Sequence, residues 1–232
     1  EYLEMRAVND TVSYAIVNNT GGSIKTNKLV HVKRINDQYW YPFSLPYDCK
    51  VAAIRQYNGK SLGEYGTKWV IKYYDGKARN DDPNPTISQN VGGSSSYWKV
   101  MPNGATLKAN VGYIIGFDNA DRITRYSVYF TPVAAEGYTE SATGGKSVEV
   151  QSFGNGASPD KQHWGWNNIG QPFISIFKGN VEASSVLQPG EWGSDNSSTV
   201  YLSVPDGGSN RTYTQFDAST YAIEPFKAYF VQ

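Results

Sequence analysis

The sequence contains few of the residue types on which disulfides, metal sites and nucleophilic catalysis depend. Its 232 residues include one cysteine, two histidines and two methionines. Because Cys49 is the single cysteine, it cannot form a disulfide within the chain, and it matches no paired-thiol metal motif. It precedes the strand-like segment "KVAAI". This apolar setting predicts a buried, unreactive thiol rather than a nucleophile.

The chain also lacks an excess of charge and long apolar runs. Lysine plus arginine and aspartate plus glutamate both number 21, and neither sign is clustered. Binding a phosphate backbone takes a basic surface, so no nucleic acid partner is expected. A membrane-spanning helix takes about 18 consecutive apolar residues. The sequence has no such run, so no membrane span is expected.

Helical periodicity is absent as well, and the composition that remains is typical of a β protein. No segment sustains the i, i+3, i+4, i+7 apolar spacing of an amphipathic helix. The chain instead has 23 glycines, 18 tyrosines and an aromatic content of 14%. An apolar content of 39% is enough to bury a core. The composition therefore predicts a folded, all-β protein.

An internal repeat is the strongest signal in the sequence. Trp40 and Pro46 stand six residues apart in "WYPFSLPY", and Trp166 and Pro172 stand six apart in "WNNIGQPF". Each block closes with an aromatic residue. Self-similarity of this kind indicates that one structural unit occurs twice.

Further blocks follow each of these in the same order. The segments "WVIKYYDG" at 69–76 and "VYLSVPDG" at 200–207 both end in Asp-Gly, a hairpin signal, and an arginine follows each, Arg79 or Arg211. Two more blocks follow in each copy, of which the first begins with an aromatic residue and the second with an aliphatic residue. Their aligned pairs are Trp98 with Tyr213, Leu107 with Ile223, and Tyr113 with Tyr229.

Two related β-sandwich modules of jelly-roll type account for this pattern. Alternating segments upstream, "LVHVKR" at 29–34 and "SVEVQSF" at 147–153, predict one strand in each module. We assign residues 27–137 to the first module and 138–232 to the second. Residues 1–26 are then an N-terminal strand segment that packs on a module.

The two copies differ at their ends. After "GYIIGF" the first copy continues through a segment in which Ile123, Tyr126, Val128 and Phe130 predict another strand, whereas the second stops at Gln232. The strand-like residues 1–18 either supply the strand that the second copy lacks or are the tail of an earlier module.

The aromatic stretch "YWYPFSLPYDC" at 39–49 is predicted to be strand followed by a turn. Its two prolines remove backbone donors and exclude a helix. We expect Trp40, Phe43 and Leu45 to fill a sandwich core and Pro46 to end the strand.

The repeated blocks resemble a known group of proteins. "YWYPFSLPYD", "WVIKYYDGKAR", "WKV" and "LKANVGYII" resemble the repeated β-modules of secreted and surface-exposed multidomain proteins of Bacteroidetes-type bacteria. "GWNNIGQPFIS" with "PFKAYFVQ" resembles a Gly-Trp-Asn-x-Ile-Gly-Asn-Pro variant of the same modules, with Gln171 in place of the usual Asn. The resemblance implies a β-sandwich fold and an extracellular or outer-surface location, with an export signal removed before Glu1. It implies no particular activity.

The histidines do not form a recognisable catalytic motif. His31 lies in the alternating segment "LVHVKR", where a strand position is the simpler interpretation. His163 precedes "WGW" in a predicted loop, but no Gly-x-Ser-x-Gly elbow and no metalloprotease spacing accompanies it. The sequence therefore predicts no catalytic residue, no metal site, no cofactor and no enzymatic activity.

A carboxylate pair for glycoside cleavage leaves one enzymatic alternative open. Asp48, Asp75, Glu191 and Asp206 all lie near aromatic residues. The simpler interpretation places Asp75 and Asp206 in Asp-Gly turns and Asp48 at the end of the proline-terminated strand. The acidic loops "NDDPN" and "DNADR" raise the question of a structural calcium ion, but both lack the ligand pattern of a helix-loop-helix site and are expected to be solvated turns.

Aromatic residues without a repeat counterpart are the predicted binding residues. Trp98 and Trp166 occupy repeat positions and are therefore expected in the core. Trp164 and Trp192 have no counterpart and lie among Gly, Ser and Asn, a composition typical of sugar-stacking and protein-contact surfaces. Together with His163 they form the predicted binding set. The sequence thus predicts a non-catalytic surface module for adhesion or for binding a glycan or host protein, and an exported carbohydrate-active hydrolase or its ancillary domain is the alternative.

Overall fold

The fold class is all-β, as predicted. The computed structural model describes residues 3–6, 23–26, 29–35, 40–56, 58–85, 97–118, 126–133, 138–141, 146, 148–174, 177–178, 199–205, 211–217 and 222–231. Within these ranges the regular structure consists of short strands, one five-residue α-helix and two 3₁₀ turns. Most neighbouring strands are antiparallel.

The strands are numbered along the chain. They are Leu3–Arg6 (β1), Ser23–Thr26 (β2), Leu29–Ile35 (β3), Tyr41–Phe43 (β4), Cys49–Lys50 (β5), Arg55–Gln56 (β6), Trp69–Tyr74 (β7), Trp98–Val100 (β8), Thr106–Leu107 (β9), Tyr113–Phe117 (β10), Tyr126–Phe130 (β11), Tyr138–Ser141 (β12), Asn167–Gly170 (β13), Phe177–Lys178 (β14), Thr199–Pro205 (β15), Arg211–Asp217 (β16), Ala222–Ile223 (β17) and Ala228–Val231 (β18). The helix α1 spans Gly76–Asn80 and lies between β7 and β8.

Two four-stranded sheets in the first half of the chain contribute to the main core, which also includes Ile174 and Phe226 of the second half. Their strand orders are β4-β10-β7-β8 and β1-β3-β11-β6. Both sheets contribute to one buried cluster, in which the Phe43 and Phe130 ring centroids are 4.9 Å apart. Burying a side chain of this size contributes about 2–3 kcal/mol. The strands predicted from "LVHVKR" and from residues 126–130 are present as β3 and β11.

The second half repeats the strand order of one of these sheets. Its sheet runs β13-β18-β15-β16, and these strands stand in the same chain order as β4, β10, β7 and β8. A small pair also recurs, because β5 with β9 in the first half matches β14 with β17 in the second. Both small pairs use the aligned positions Leu107 and Ile223.

The pairing registers also agree between the halves. If Trp40 is aligned with Trp166 and Tyr113 with Tyr229, every described cross-strand pair of β4 with β10 has its counterpart in β13 with β18. The matching pairs are Phe43–Tyr113 with Ile169–Tyr229, Pro42–Ile114 with Asn168–Phe230, and Tyr41–Ile115 with Asn167–Val231. The sheet-edge pair Tyr74–Trp98 likewise matches Ser203–Tyr213, as the aligned aromatic residues predict.

The alignment on Asp-Gly differs from the observed register by two residues. In the sheets Tyr73 takes the place of Leu202, because both pair with the aligned tyrosines Tyr113 and Tyr229. The predicted hairpin turn at Asp75 is wrong, since β7 ends at Tyr74 and Asp75 caps helix α1 by accepting a hydrogen bond from the Ala78 N–H at 2.9 Å. Strand β15 continues further, to Pro205, and pairs there with Arg211 of β16.

An apolar cluster joins the two halves. Trp98, Ile114 and Phe230 are buried in it, and the half-buried Trp40 and Trp166 pack against it, together with Tyr74. Trp40 therefore lies between the halves rather than in the main core where it was predicted. Phe43 and Leu45 do lie in the main core.

Reciprocal hydrogen bonds connect equivalent backbone positions of the halves. The Ser44 N–H donates to the Phe226 carbonyl oxygen at 2.9 Å, and the Gly170 N–H donates to the Asn110 carbonyl oxygen at 2.9 Å. In the alignment above, Ser44 matches Gly170 and Asn110 matches Phe226. Each half thus presents the same strand edge to the same turn of the other, which is the pattern of a two-fold contact.

The N-terminal residues contact both halves. Strand β1 runs parallel to β3 in the first half, and Met5 is buried in the main core. Strand β2 pairs with β12, whose buried Glu140 accepts hydrogen bonds from the Tyr138 hydroxyl and from the Ile174 N–H, both at 2.7 Å. Residues 7–22, on which the question of the missing strand also depends, lie outside the described residues.

The strand predicted at 147–153 is wrong for its described residues. Residues 148–153 form no strand. The Gln151 backbone instead pairs with a side chain, because its N–H donates to Asn167 Oδ1 at 2.9 Å and its carbonyl accepts from Asn167 Nδ2 at 3.1 Å. The amide group of Asn167 thereby occupies the polar groups that a neighbouring strand would use.

Cys49 is buried, as predicted, and its burial raises the pKa of the thiol to about 12. Such a thiol is a poor nucleophile because little thiolate forms near neutral pH. Among the described residues, no helix has the length and apolar composition to cross a membrane.

Candidate functional site

The predicted residues His163 and Trp164 lie in one irregular segment, residues 151–166, which is called the junction loop below. It leads into β13, and its single described turn of 3₁₀ helix spans Lys161–His163. Both side chains are half-buried. Trp192, the third predicted residue, lies outside the described residues.

Helix α1 of the first half anchors the junction loop. Asn80, only 1% exposed, donates from Nδ2 to the Phe153 carbonyl and accepts from the Gly165 N–H through Oδ1, each at 3.3 Å. Its own carbonyl accepts from the Ala157 N–H at 2.8 Å. The side chain and backbone of one buried residue, Asn80, therefore hold the loop by three hydrogen bonds.

The glycine of the "YDG" block serves this contact. A Cβ atom at Gly76 would collide with the Trp166 carbonyl oxygen and with the Phe153 ring. Gly76 is therefore needed because the junction loop approaches the first turn of α1 closely. The sequence had assigned this glycine to a hairpin turn.

The Trp164 ring lies against its own loop. Its indole N–H donates to the Ser158 carbonyl at 2.9 Å, and a Cβ atom at Gly156 would collide with the ring. One part of the indole is thus covered by the loop while the side chain as a whole remains half-buried. The loop presents Trp164 in a fixed orientation, as a binding residue requires.

Arg79 lies beneath the loop and is the centre of the site. Its side chain is 9% exposed, and its guanidinium carbon lies 4.9 Å from the centroid of the Trp166 ring, a cation–π contact. Nη1 donates to the Tyr74 hydroxyl at 3.0 Å, and Nη2 lies 3.3 Å from His163 Nδ1. Its Nε is buried and has no hydrogen-bond partner in the described part of the chain.

The polar groups around Arg79 have defined hydrogen-bonding roles. An arginine only donates, so Nδ1 of His163 must accept in this contact, which requires a neutral imidazole. Burial raises the pKa of Tyr74, although the nearby Arg79 acts in the opposite direction. Burial and a hydrogen bond to Asp82 at 2.8 Å raise the pKa of Tyr97 to about 12. Both phenols are therefore protonated near neutral pH.

The described carboxylates considered for catalysis are engaged in structural contacts. Asp75 caps α1, and Asp48 accepts from Lys108 Nζ at 2.8 Å and from the Ala109 N–H at 2.9 Å. Glu191 and Asp206 lie outside the described residues. Within the part of the chain that the structure describes, no three His, Cys, Asp or Glu side chains come together in a way that could hold a metal ion.

The sequence pointed to Arg79 without giving it a role. An arginine follows the Asp-Gly dipeptide in both copies, and this recurrence was the available signal. Its partners Trp166, Tyr74 and His163 are far apart in sequence, so only the packing of the halves reveals them. Arg211, the counterpart of Arg79, begins strand β16.

The fold and site together define an all-β protein with a basic and aromatic cluster between two similar sheets. No family model, no curated protein and no solved structure matches the chain.

Proposed function

We propose that the chain consists of two copies of one β-sandwich module, residues 27–137 and 138–232, preceded by an N-terminal segment, 1–26. Matching strand order, matching registers and the reciprocal contacts of Ser44 and Gly170 support this duplication. The common core of two sheets in the first half supports the sandwich architecture.

The protein in this proposal is a non-catalytic binding module of an exported or cell-surface protein, and its ligand is a glycan. The carrying observation is the junction loop, which holds half-buried Trp164, Trp166 and His163 in a fixed arrangement over the buried Arg79. Aromatic rings beside polar groups are typical of surfaces that bind sugars and proteins. The carboxylates of Asp48 and Asp75 already accept structural hydrogen bonds, which favours a binding function over glycoside hydrolysis by these residues.

A glycan array probed with the full chain tests this function. We expect binding to at least one glycan, and substituting both Trp164 and Trp192 by Ala should weaken it about tenfold or more, because each ring contributes on the order of 1 kcal/mol. The matched control is Val100→Ala, which removes apolar surface from a 52% exposed side chain on β8. Its affinity should equal that of the unmodified chain.

Several results would contradict the proposal. Absence of binding to every glycan, or full binding by a folded double variant, would count against a glycan site at the junction loop. Binding to a host protein alone would replace glycan by protein as ligand. Turnover of the bound glycan in a glycosidase assay would favour the alternative of a carbohydrate-active hydrolase.

A further inference from the structure

The guanidinium of Arg79 has one edge firmly bound and one edge without a firm acceptor. Nη1 donates to the Tyr74 hydroxyl at 3.0 Å. The opposite edge consists of Nε–H and one Nη2–H, which point in parallel and form the side-on fork that binds carboxylates with two hydrogen bonds. Nε has no hydrogen-bond partner among the described residues, and Nη2, which carries two N–H groups, has the His163 contact at 3.3 Å.

No described carboxylate neutralises this guanidinium. The described acidic groups nearest along the chain are engaged elsewhere: Asp75 caps α1, Asp81 pairs with Lys77, and Asp82 accepts hydrogen bonds from the Tyr97 hydroxyl and the Asn84 N–H. A charge that is 91% removed from solvent is costly without an opposite charge. The Trp166 ring offsets part of that cost. A bound anion would offset more.

His163 contacts the same Nη2 that such an anion would use. Its contact with Nη2 is long for a hydrogen bond, whose usual range ends near 3.2 Å. A carboxylate oxygen would form a shorter, charge-assisted bond of roughly twice the strength. His163 is half-buried and belongs to a 3₁₀ turn of the junction loop, so part of its side chain is exposed to the solvent from which a ligand would approach.

We propose that the Nε–Nη2 edge of Arg79 is a subsite for the carboxylate of an acidic sugar, which displaces the His163 ring on binding. The inference rests on the proposed glycan-binding function and specifies the ligand as a glycan bearing a uronic or sialic acid. The sugar ring contacts the aromatic side chains of the junction loop while its carboxylate reaches the guanidinium. A neutral sugar lacks the group that pairs with Arg79.

The experiment compares an oligosaccharide ending in glucuronic acid with the same oligosaccharide ending in glucose. We expect the full chain to bind the acidic form at least about tenfold more tightly, the effect of one charged hydrogen-bonded pair. Arg79→Gln should remove the preference, and Arg79→Lys should retain only part of it because lysine has no fork. Arg55→Gln, at an exposed arginine on β6, is the matched control and should leave the preference unchanged.

His163→Ala provides a test that leaves the guanidinium in place. Because the His163 ring competes with the carboxylate alone, its removal should raise the ratio of acidic to neutral oligosaccharide affinity above that of the unmodified chain. If Arg79→Gln does not unfold cooperatively, the carboxylate subsite is tested by this variant together with the acid-to-neutral comparison on the unmodified chain. An unchanged or lower ratio of acidic to neutral affinity in His163→Ala would overturn the displacement.

The outcomes separate this inference from the proposed function. Equal binding of the acidic and neutral forms, with Trp164 still required, would overturn the carboxylate subsite and leave glycan binding standing. An Arg79-dependent preference for acidic peptides over acidic glycans would overturn the choice of sugar as carrier. Failure to bind any glycan would overturn both.

Discussion

Asp48, in the turn after Pro46, connects distant parts of the first half through both its side chain and its backbone. Its carboxylate accepts from Lys108 Nζ and from the Ala109 N–H, and its carbonyl accepts from the Val133 N–H at 2.9 Å. The strand end after Pro46 is thereby fastened to the turn before β10 and to the segment after β11.

The hydrogen bonds of Asp48 predict a specific loss of stability in acid. Burial alone would raise the pKa of this carboxyl, but the bonds from Lys108 and Ala109 outweigh burial and lower the pKa from its ordinary value of 3.8. A group with a lowered pKa in the folded state stabilises the fold above its unfolded-state pKa, and that contribution is lost as the pH falls through the folded-state value. The free energy of unfolding should therefore fall more steeply below about pH 4 for the unmodified chain than for Asp48→Asn.

Denaturant titrations between pH 2 and 7 would measure this difference. Lys108→Gln removes one of the two side-chain interactions and should give an intermediate slope. Parallel pH profiles for all three chains would contradict a stabilising role for the ionised carboxylate.

Single residues also mark where sequence reasoning succeeded and failed. Phe43 and Leu45 were correctly placed in the core, because large apolar side chains in a short segment that cannot be helical are usually buried. Trp40 was misplaced, since an aromatic residue at a strand end looks alike whether the core or the other half of the chain covers it. Asp75 was misread because Asp-Gly fits both a hairpin and a helix N-terminus.

At the scale of elements, two equivalent turns share an unusual backbone conformation. Asn110 and Phe226 have φ angles of 62° and 60°, and both turns precede the central strand of their sheet. Non-glycine residues rarely adopt positive φ, and asparagine tolerates it far better than β-branched residues do. The same turn geometry therefore occurs at the two aligned positions although the residues there differ.

Replacing Asn110 by Val should therefore destabilise the protein by about 1–3 kcal/mol, the usual cost of such strain. Asn110→Gly is the matched variant, because glycine adopts positive φ freely, and its stability should stay close to that of the unmodified chain. Guanidinium denaturation of both variants is the measurement. Equal stability of the Val and Gly variants would show that this φ angle is not required.

Regular alternation predicted strands well only where a neighbouring strand was available. Strands β3 and β11 pair with each other and were both expected. The similar pattern at 147–153 gave no strand in its described part, because Asn167 satisfies the Gln151 backbone. Periodicity reports which faces of a segment are apolar but not which polar group will bond to its backbone.

At the scale of the whole molecule, the contact between the halves should persist without a covalent connection. We expect that cutting the chain at a protease site introduced within residues 142–145 leaves the two fragments associated. The apolar cluster around Phe230, the reciprocal backbone hydrogen bonds and the contact of Glu140 with Ile174 all join the two fragments.

Size-exclusion chromatography of the cut protein under native conditions is the measurement. Phe230→Asp places a charge in the apolar cluster and should promote separation of the fragments, whereas Val100→Asp, at an exposed position, should not. Separation of the fragments without any substitution would contradict a stable contact between the halves.

The aligned aromatic residues of the sequence predicted which positions of the two sheets correspond, but not how the two halves contact each other. Aligned blocks placed Trp98 with Tyr213 and Tyr113 with Tyr229, and the sheets place these residues at matching positions. The same alignment contains no information on which faces meet. The cluster of Arg79 with Trp166 and His163 arises from that contact. The sequence therefore predicted only His163 and Trp164 of the junction loop as binding residues and gave Arg79 no role.

The two halves differ in the cation that contacts their equivalent tryptophan rings, and this difference affects how many ligands one chain can bind. Lys72 Nζ lies 4.9 Å from the centroid of the Trp40 ring, and the Arg79 guanidinium lies at the same distance from the equivalent Trp166 ring. An ammonium is a point charge and cannot offer the two parallel donors of a guanidinium. Two equivalent halves would ordinarily offer two equivalent sites, but the described contact carries a single forked cation. The proposed carboxylate subsite therefore predicts one acidic sugar per chain.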